Sequence, residues 1–129
     1  MPVARILIID DEPYVRDTLR QLLEFEGYEI DSAQDGREGL KKVRENTYDL
    51  IITDIVMPEQ DGLEVLMTLR RERPDAVVVA MSGGGQQGVM DYLPVAAGLG
   101  AIRTLSKPFQ RAELLEVVRA ALGFEGSVN

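Results

Sequence analysis

The sequence has neither cysteine nor histidine among its 129 residues. Without cysteine the chain forms no disulfide and no thiolate metal site. Without histidine it lacks the usual imidazole base and any internal phosphohistidine donor. We therefore expect its chemistry to be based on carboxylates, and 22 aspartates and glutamates are present.

Long apolar runs and an excess of positive charge are also missing. No stretch reaches the roughly 18 apolar residues of a membrane span, and residues 1–5 lack the apolar region of a signal peptide. We therefore expect a cytoplasmic, soluble protein with no membrane partner. Direct nucleic-acid binding is not expected, because it needs clustered Lys and Arg, whereas the formal charge here is -8.

The chain length predicts one domain, because 129 residues is close to the commonest domain size. Internal repeats, low-complexity tracts and linkers are not evident. We expect a single domain over residues 1–129, with a core over 5–122 and a short polar tail over 123–129. The same pattern predicts no attached output domain.

Short apolar runs alternate with helical patterns, which is typical of an α/β fold with a parallel sheet covered on both faces. The second run is more amphipathic, so we expect it nearer an edge of the sheet. Leucines at helical spacing predict the core faces of the helices, and a weaker helix is predicted over Gly36–Glu45. The five predicted strands are Ile6–Ile9, Tyr28–Ala33, Leu50–Thr53, Val77–Met81 and Ala101–Leu105.

Polar residues follow four of these strands: Asp10-Asp11, Asp54, Ser82 and Lys107-Pro108. The carboxyl ends of parallel strands meet at one edge of the sheet, so these residues can converge there. Three carboxylates brought together repel one another unless protons or a cation neutralise them, and a hard divalent cation does so. Asp10-Asp11 before Pro13 also predicts a helix N-cap, a role compatible with metal binding.

These fragments together resemble the receiver domain of two-component response regulators, over Arg5 to Leu122. The resemblance implies a flavodoxin-like (βα)5 sandwich with a five-stranded parallel sheet in the order 2-1-3-4-5. The motifs that carry it are Ile8-Ile9-Asp10-Asp11-Glu12-Pro13, Thr53-Asp54-Ile55-Val56-Met57-Pro58 with Asp61-Gly62, Ser82, and Lys107-Pro108-Phe109.

The resemblance implies that Asp54 is the phosphoacceptor and forms an aspartyl phosphate. Mg²⁺ or Mn²⁺ would be held by Asp11, Asp54 and the backbone carbonyl of Val56, with Asp10 acting through water. Lys107 and Ser82 would bind the phosphoryl group and change the conformation when phosphate is present. Such a chain catalyses only its own phosphorylation and dephosphorylation, and is not otherwise an enzyme. The Lys107-Pro108 bond would be cis, which aims the lysine at the site.

Two features depart from the usual receiver pattern: Thr104 and the glycines that follow Ser82. Thr104 stands where receivers commonly have Tyr or Phe, so we expect coupling through its hydroxyl or the backbone. Val56 and Gly84 occupy the positions that tune dephosphorylation, and neither side chain forms hydrogen bonds. Four glycines over residues 83–88 disfavour helix, which predicts a late, short helix over 92–99. The segment between Ser82 and Lys107 contains more residues than is usual in receivers. The extra length is either a tolerated surface insertion or a surface that binds a partner.

The implied donor is a histidine kinase or a histidine phosphotransfer protein, as in a phosphorelay. It would dock near Pro13, Tyr14, Pro108 and Phe109. The phosphorylated receiver would act on a target protein, and it could also form a weak or phosphorylation-dependent homodimer.

Two alternative functions are a degenerate receiver that binds without phosphorylation and an Asp-nucleophile phosphohydrolase. The hydrolase lacks its usual second Asp because Val56 stands there. A flavodoxin-like cofactor binder is disfavoured, since Asp10-Asp11-Glu12 would repel FMN phosphate.

Overall fold

The computed structural model describes residues 3–55, 62–82 and 103–123. They form five strands: β1 (Arg5–Ile9), β2 (Glu29–Ala33), β3 (Leu50–Asp54), β4 (Val78–Ser82) and β5 (Arg103–Ser106). Four helices lie between and after them: α1 (Pro13–Phe25), α2 (Gly36–Glu45), α3 (Gly62–Glu72) and α4 (Arg111–Ala121). The helix predicted over 92–99 and the glycine-rich segment lie outside the described residues.

The strands form one parallel sheet in the order β2-β1-β3-β4-β5, which confirms the predicted flavodoxin-like topology. β3 and β4 are buried along their whole length, whereas β2 begins exposed and is buried only at Ile30 and Ala33, as expected of an edge strand. Because every strand runs the same way, the carboxyl ends of all five strands meet at one edge of the sheet.

Two apolar layers cover the sheet, because alternate residues of each strand point to opposite faces. On one face, α2 and α3 pack through Leu40, Val43, Val65, Leu66 and Leu69. On the other, α1 and α4 pack through Leu19, Leu23, Leu114, Leu115 and Val118. The predicted leucine faces of α1 and α4 are thus confirmed. Within the described ranges, no helix combines the length and hydropathy needed to cross a bilayer.

Gly39 allows α2 to pack closely on β1. A Cβ built on this buried glycine would lie 2.8 Å from Cγ1 of Ile9, and closer still to its Cδ1. Alanine would improve the helix propensity by about 1 kcal/mol, but overpacking a dense core typically costs about 1–3 kcal/mol. We therefore expect Gly39→Ala to lower the free energy of unfolding, measured by urea denaturation.

The matched control for Gly39→Ala is the double variant Gly39→Ala/Ile9→Val. Valine lacks Cδ1, so it makes room for the new methyl group. The double variant should lose less stability than the two single changes added together. A Gly39→Ala protein as stable as the native chain, or more stable, would contradict the packing argument.

Candidate functional site

The predicted site residues lie where the strands end at the carboxyl edge of the sheet. Asp10 follows β1 directly, while Asp54 and Ser82 are the last residues of β3 and β4. Lys107 follows β5, and its backbone N–H donates to the carbonyl oxygen of Ser82 at 2.7 Å. Neighbouring strands therefore bring together residues that are far apart in sequence.

Asp10, Asp11 and Asp54 form a carboxylate cluster. One oxygen from each lies within 4.8 Å of the others. Asp10 and Asp54 are buried, with 0% and 3% of their surface exposed, and Asp11 is partly exposed. This donor set suits Mg²⁺, which prefers a few carboxylate oxygens and keeps several waters, and the partly open side at Asp11 gives such waters access.

Lys107 supplies the positive charge within this cluster. Its Nζ donates to Oδ2 of Asp10 at 2.8 Å and to Oδ2 of Asp54 at 3.1 Å. Glu12 Oε1 lies farther away, at 3.5 Å, on a largely exposed side chain. The Lys107-Pro108 peptide bond is cis, as the family resemblance implied. One ammonium therefore bridges two buried carboxylates, including the predicted phosphoacceptor.

Burial and charge shift the pKa values of this group. Burial raises the pKa of the Asp10 carboxyl and outweighs the opposing hydrogen bond from Lys107. Burial also disfavours the charged form of Lys107. The hydrogen bond to Asp10 and the negative charge of Asp54 outweigh that cost and raise the pKa of the Lys107 ammonium. Lys107 therefore stays charged, while Asp10 holds a proton more readily than an ordinary aspartate.

The helix cap differs from the sequence prediction. Glu12 is the N-cap residue of α1 and makes no side-chain cap hydrogen bond, while Pro13 is the first helical residue. Asp10 instead accepts the backbone N–H of Glu12 on its Oδ1 at 2.9 Å. The prediction that Asp10-Asp11 caps the helix was wrong, because the Asp10 carboxylate closes a turn that ends at Glu12, before the first helical residue.

The switch residues are only partly brought together. Ser82 is buried and lies at the site edge of β4. Thr104 is partly exposed and pairs in register with Ala80, two residues earlier along the strand direction. Within the described residues, Thr104 makes no hydrogen bond to Ser82 or Lys107. Val56, Gly84 and the glycine-rich segment lie outside the residues that the structure describes.

Sequence reasoning missed Arg16, whose Nη1 donates to the backbone carbonyl of Asp10 at 2.7 Å. Arg16 reads as an ordinary helix charge in the sequence, since a side chain that reaches back to a carbonyl leaves no periodic signal. Sequence reasoning also missed the approach of Glu12 to Lys107. The position of Glu12 directly after Asp10-Asp11 was the sequence feature that could have indicated this contact.

Comparison with known proteins adds to this geometry. The family model described as the response regulator receiver domain matches residues 6–119. This chain belongs to the response regulator receiver family. Response regulators receive phosphate from histidine kinases, and both phosphorylation and Mg²⁺ binding at the acidic pocket are general to the family. Receiver domains are generally not classical enzymes.

Individual relatives agree with this assignment. The response regulator MprA of Mycolicibacterium vanbaalenii is 38% identical over 95% of this chain and 51% of its own length. The chain therefore spans about half the length of the curated relatives it matches. The TrrA response regulator of Thermotoga maritima, in a complex with Mg²⁺-BeF, has a TM-score of 0.82 and 38% identity, covering 92% of this receiver and 99% of TrrA.

A second solved structure is a CheY-like receiver domain protein from Methanospirillum hungatei. It has a TM-score of 0.87 and 30% identity, covering 99% of this chain and 100% of that one. The receiver fold therefore accounts for nearly the whole sequence.

From the raised pKa of Asp10 we expect Mg²⁺ binding to depend on pH. A protonated Asp10 offers no negative charge to a nearby cation, so we expect protons to compete with Mg²⁺. In the metal-free receiver, ionisation of Asp10 also lowers stability as pH rises through the raised pKa, and Mg²⁺ offsets this loss. We expect Mg²⁺ affinity, measured by calorimetry, to fall as the pH is lowered through the raised pKa of Asp10.

The control is Asp10→Asn, which removes the titrating group. Its affinity for Mg²⁺ should be weaker than the native affinity but should vary less with pH. A native affinity with the same pH dependence as that of Asp10→Asn would contradict competition between the proton and the metal at Asp10.

Proposed function

We propose that this receiver accepts a phosphoryl group on Asp54 in a Mg²⁺-dependent reaction and thereby switches its affinity for a protein partner. The observation that carries the proposal is the placement of the Asp54 carboxylate. It is buried beside Asp10 and Asp11 and hydrogen-bonded to Lys107. A nucleophile, a cation site and a fixed positive charge thus share one corner of the sheet.

Asp10, Asp11 and Asp54, with the carbonyl of Val56, would hold Mg²⁺ or Mn²⁺, which neutralises the charge of the incoming phosphoryl group. An Asp54 oxygen forms the new bond to phosphorus as the bond from phosphorus to the donor histidine nitrogen breaks. Lys107 Nζ already donates to the Asp54 carboxylate in the unphosphorylated structure, so its ammonium can move onto the phosphoryl oxygens. The chain then catalyses only its own phosphorylation and dephosphorylation.

The switch uses contacts that gain strength only after phosphorylation. A phosphoryl group adds about -1.5 to -2 units of charge and three acceptor oxygens. The Ser82 hydroxyl and the Lys107 ammonium can bind these oxygens, and Lys107 weakens its pairing with Asp10 as it does so. Ser82 and Lys107 are already linked by a backbone hydrogen bond. A shift of Ser82 toward the phosphoryl group would therefore also move the backbone at Lys107, directly after β5. The partner would detect this change through Thr104 or through the backbone itself.

The lifetime of the phosphoryl group would be tuned at Val56 and Gly84. Neither side chain forms hydrogen bonds, so neither can orient the attacking water. We propose that solvent access sets the rate of dephosphorylation. Introducing asparagine at position 56 should change the decay rate of the phosphorylated chain.

The proposed donor is a histidine kinase or a histidine phosphotransfer protein that docks beside the site. Tyr14 is 80% exposed at the start of α1, and Pro13 and Pro108 are also exposed. Phe109 is partly buried and packs against the core cluster that includes α4.

We propose that the receiver acts as a stand-alone cytoplasmic domain on a target protein. The curated relatives are about twice as long as this chain, so a receiver joined to a further domain is the competing arrangement.

Intact mass spectrometry tests the proposal. The native receiver is incubated with acetyl phosphate in Mg²⁺, in a chelator, and with a phosphorylated histidine kinase. One labile adduct of about 80 Da should form with Mg²⁺ and not with the chelator. If no donor gives an adduct, the chain is a degenerate receiver that acts through binding alone. Multiple turnover of small phosphate esters would instead indicate a hydrolase.

A further inference from the structure

Arg16 closes the turn between β1 and α1 from its helical side. Its side chain starts at the fourth residue of α1, and its Nη1 donates to the carbonyl oxygen of Asp10 at 2.7 Å. Arg16 is partly buried, so part of its side chain lies against the protein. The bond ends on the backbone of a residue in the carboxylate cluster.

Asp10 and Asp11 are held in different ways. The N–H of Asp10 donates to the carbonyl of Ala33, and its two carboxylate oxygens accept from Glu12 and Lys107. The Asp11 carboxylate makes no hydrogen bond within residues 3–55, 62–82 and 103–123. Its closeness to Asp10 and Asp54 therefore depends on the backbone that leads to it.

The planar peptide group explains how Arg16 reaches Asp11. The carbonyl of Asp10 and the N–H of Asp11 belong to one rigid unit, because rotation about the bond between them is prevented. Fixing the carbonyl oxygen fixes the tilt of that unit, and with it the direction in which the Asp11 side chain leaves the backbone. We propose that Arg16 is a positioning residue that holds Asp11 in the magnesium site. This inference rests on the proposed function of the carboxylate cluster.

If Arg16 acted only through its charge, its removal would change Mg²⁺ affinity in the opposite direction from the change expected of a positioning residue. A guanidinium near a cation site repels Mg²⁺, so loss of its charge alone would strengthen Mg²⁺ binding. Loss of the hydrogen bond would release the peptide group and weaken binding. The sign of the change in affinity therefore separates positioning from simple electrostatics.

Arg20 provides a matched control on the same helix. It lies one turn after Arg16 and is likewise partly buried. Its Nη1 donates to the carbonyl oxygen of Ile30 in β2 at 3.0 Å. Arg20 also donates to Glu24 and to the hydroxyl of Ser32. Arg20→Met therefore removes the same kind of side chain as Arg16→Met, a bond to a backbone carbonyl, and two further bonds. Only Arg16 is bonded to the turn that carries the carboxylates.

Calorimetric titration with MgCl₂ tests the proposal on the native chain, Arg16→Met, Arg16→Lys and Arg20→Met, with urea denaturation of each. We expect Arg16→Met to weaken Mg²⁺ binding about tenfold, as loss of a group supporting metal ligands typically does. Arg20→Met should keep the native affinity although it loses at least as much stability, because it removes more bonds. Arg16→Lys keeps a donor and should recover most of the affinity. Phosphorylation of Arg16→Met should slow at low Mg²⁺ and recover at saturating Mg²⁺.

Unchanged or tighter Mg²⁺ binding by Arg16→Met would overturn the inference, as would equal weakening in Arg20→Met. A native chain that binds Mg²⁺ but takes up no phosphate would refute the proposed function alone, because the role of Arg16 is judged from binding. A native chain that binds no Mg²⁺ would refute both.

Discussion

Replacing Asp54 with asparagine is expected to abolish phosphate uptake completely while leaving the fold intact. Asparagine has nearly the same shape, so it fits the buried position at the end of β3. Its amide cannot form an acyl phosphate, so the nucleophile is lost. Intact mass after incubation with acetyl phosphate and Mg²⁺ should show no adduct on Asp54→Asn and a single adduct on the native receiver.

The control for this change is Asp17→Asn, which alters the net charge equally on the exposed surface of α1. It should take up phosphate at the native rate. Asp54→Asn should also lose much of the stabilisation that Mg²⁺ gives the native receiver, because one predicted ligand has been removed. Phosphate uptake by Asp54→Asn at the native rate would refute the assignment of the acceptor.

Replacing Lys107 with methionine should cause the largest loss of stability among the site variants. Lys107 is 14% exposed and pairs with Asp10 and Asp54, which are buried. Methionine keeps the apolar stem but leaves both carboxylates without their ammonium. Breaking a buried ion pair by removing one partner costs about 3–5 kcal/mol. We expect a loss of this size in urea denaturation of the metal-free protein near neutral pH.

Mg²⁺ should restore part of this stability, because a cation in the carboxylate cluster replaces the missing positive charge. The control is Lys42→Met, whose Nζ donates to the carbonyl oxygen of Ser32 and frees no buried carboxylate when removed. It should cost only about 1 kcal/mol, the usual net value of one hydrogen bond, with no recovery in Mg²⁺. Equal losses in the two variants, both insensitive to Mg²⁺, would contradict the proposed role of Lys107 as the counter-ion.

Much of the fold could be predicted because its signals are local. The bounds of α2 agree with the sequence prediction, Gly36–Glu45, since Asp35 caps its start and two charged faces leave a narrow apolar side. The amphipathic character of β2 predicted an edge strand, and only Ile30 and Ala33 of its five residues are buried. Strand ends shifted by a residue, as at Asp54 and Ser82, because backbone pairing continues past the last apolar side chain.

The site could be predicted in outline for a different reason. Parallel topology places strand ends together, so the order of Asp10, Asp54 and Lys107 in the sequence was enough to predict their convergence. The double pairing of Lys107 could not be predicted, because it depends on the direction of a side chain 97 residues from Asp10. The contact from Arg16 depends likewise on how α1 rotates against β1, which the sequence pattern does not specify.

The measurement that tests the central claim most directly is chemical trapping of the phosphorylated residue. The native receiver is phosphorylated with acetyl phosphate in Mg²⁺ and treated with borohydride, which reduces an acyl phosphate to an alcohol, and its peptides are then sequenced by mass spectrometry. Our account predicts reduction at Asp54 alone, with Asp10 and Asp11 unchanged and no product when Mg²⁺ is chelated. Reduction at another carboxylate, or a stable phosphate on a hydroxyl side chain, would contradict it.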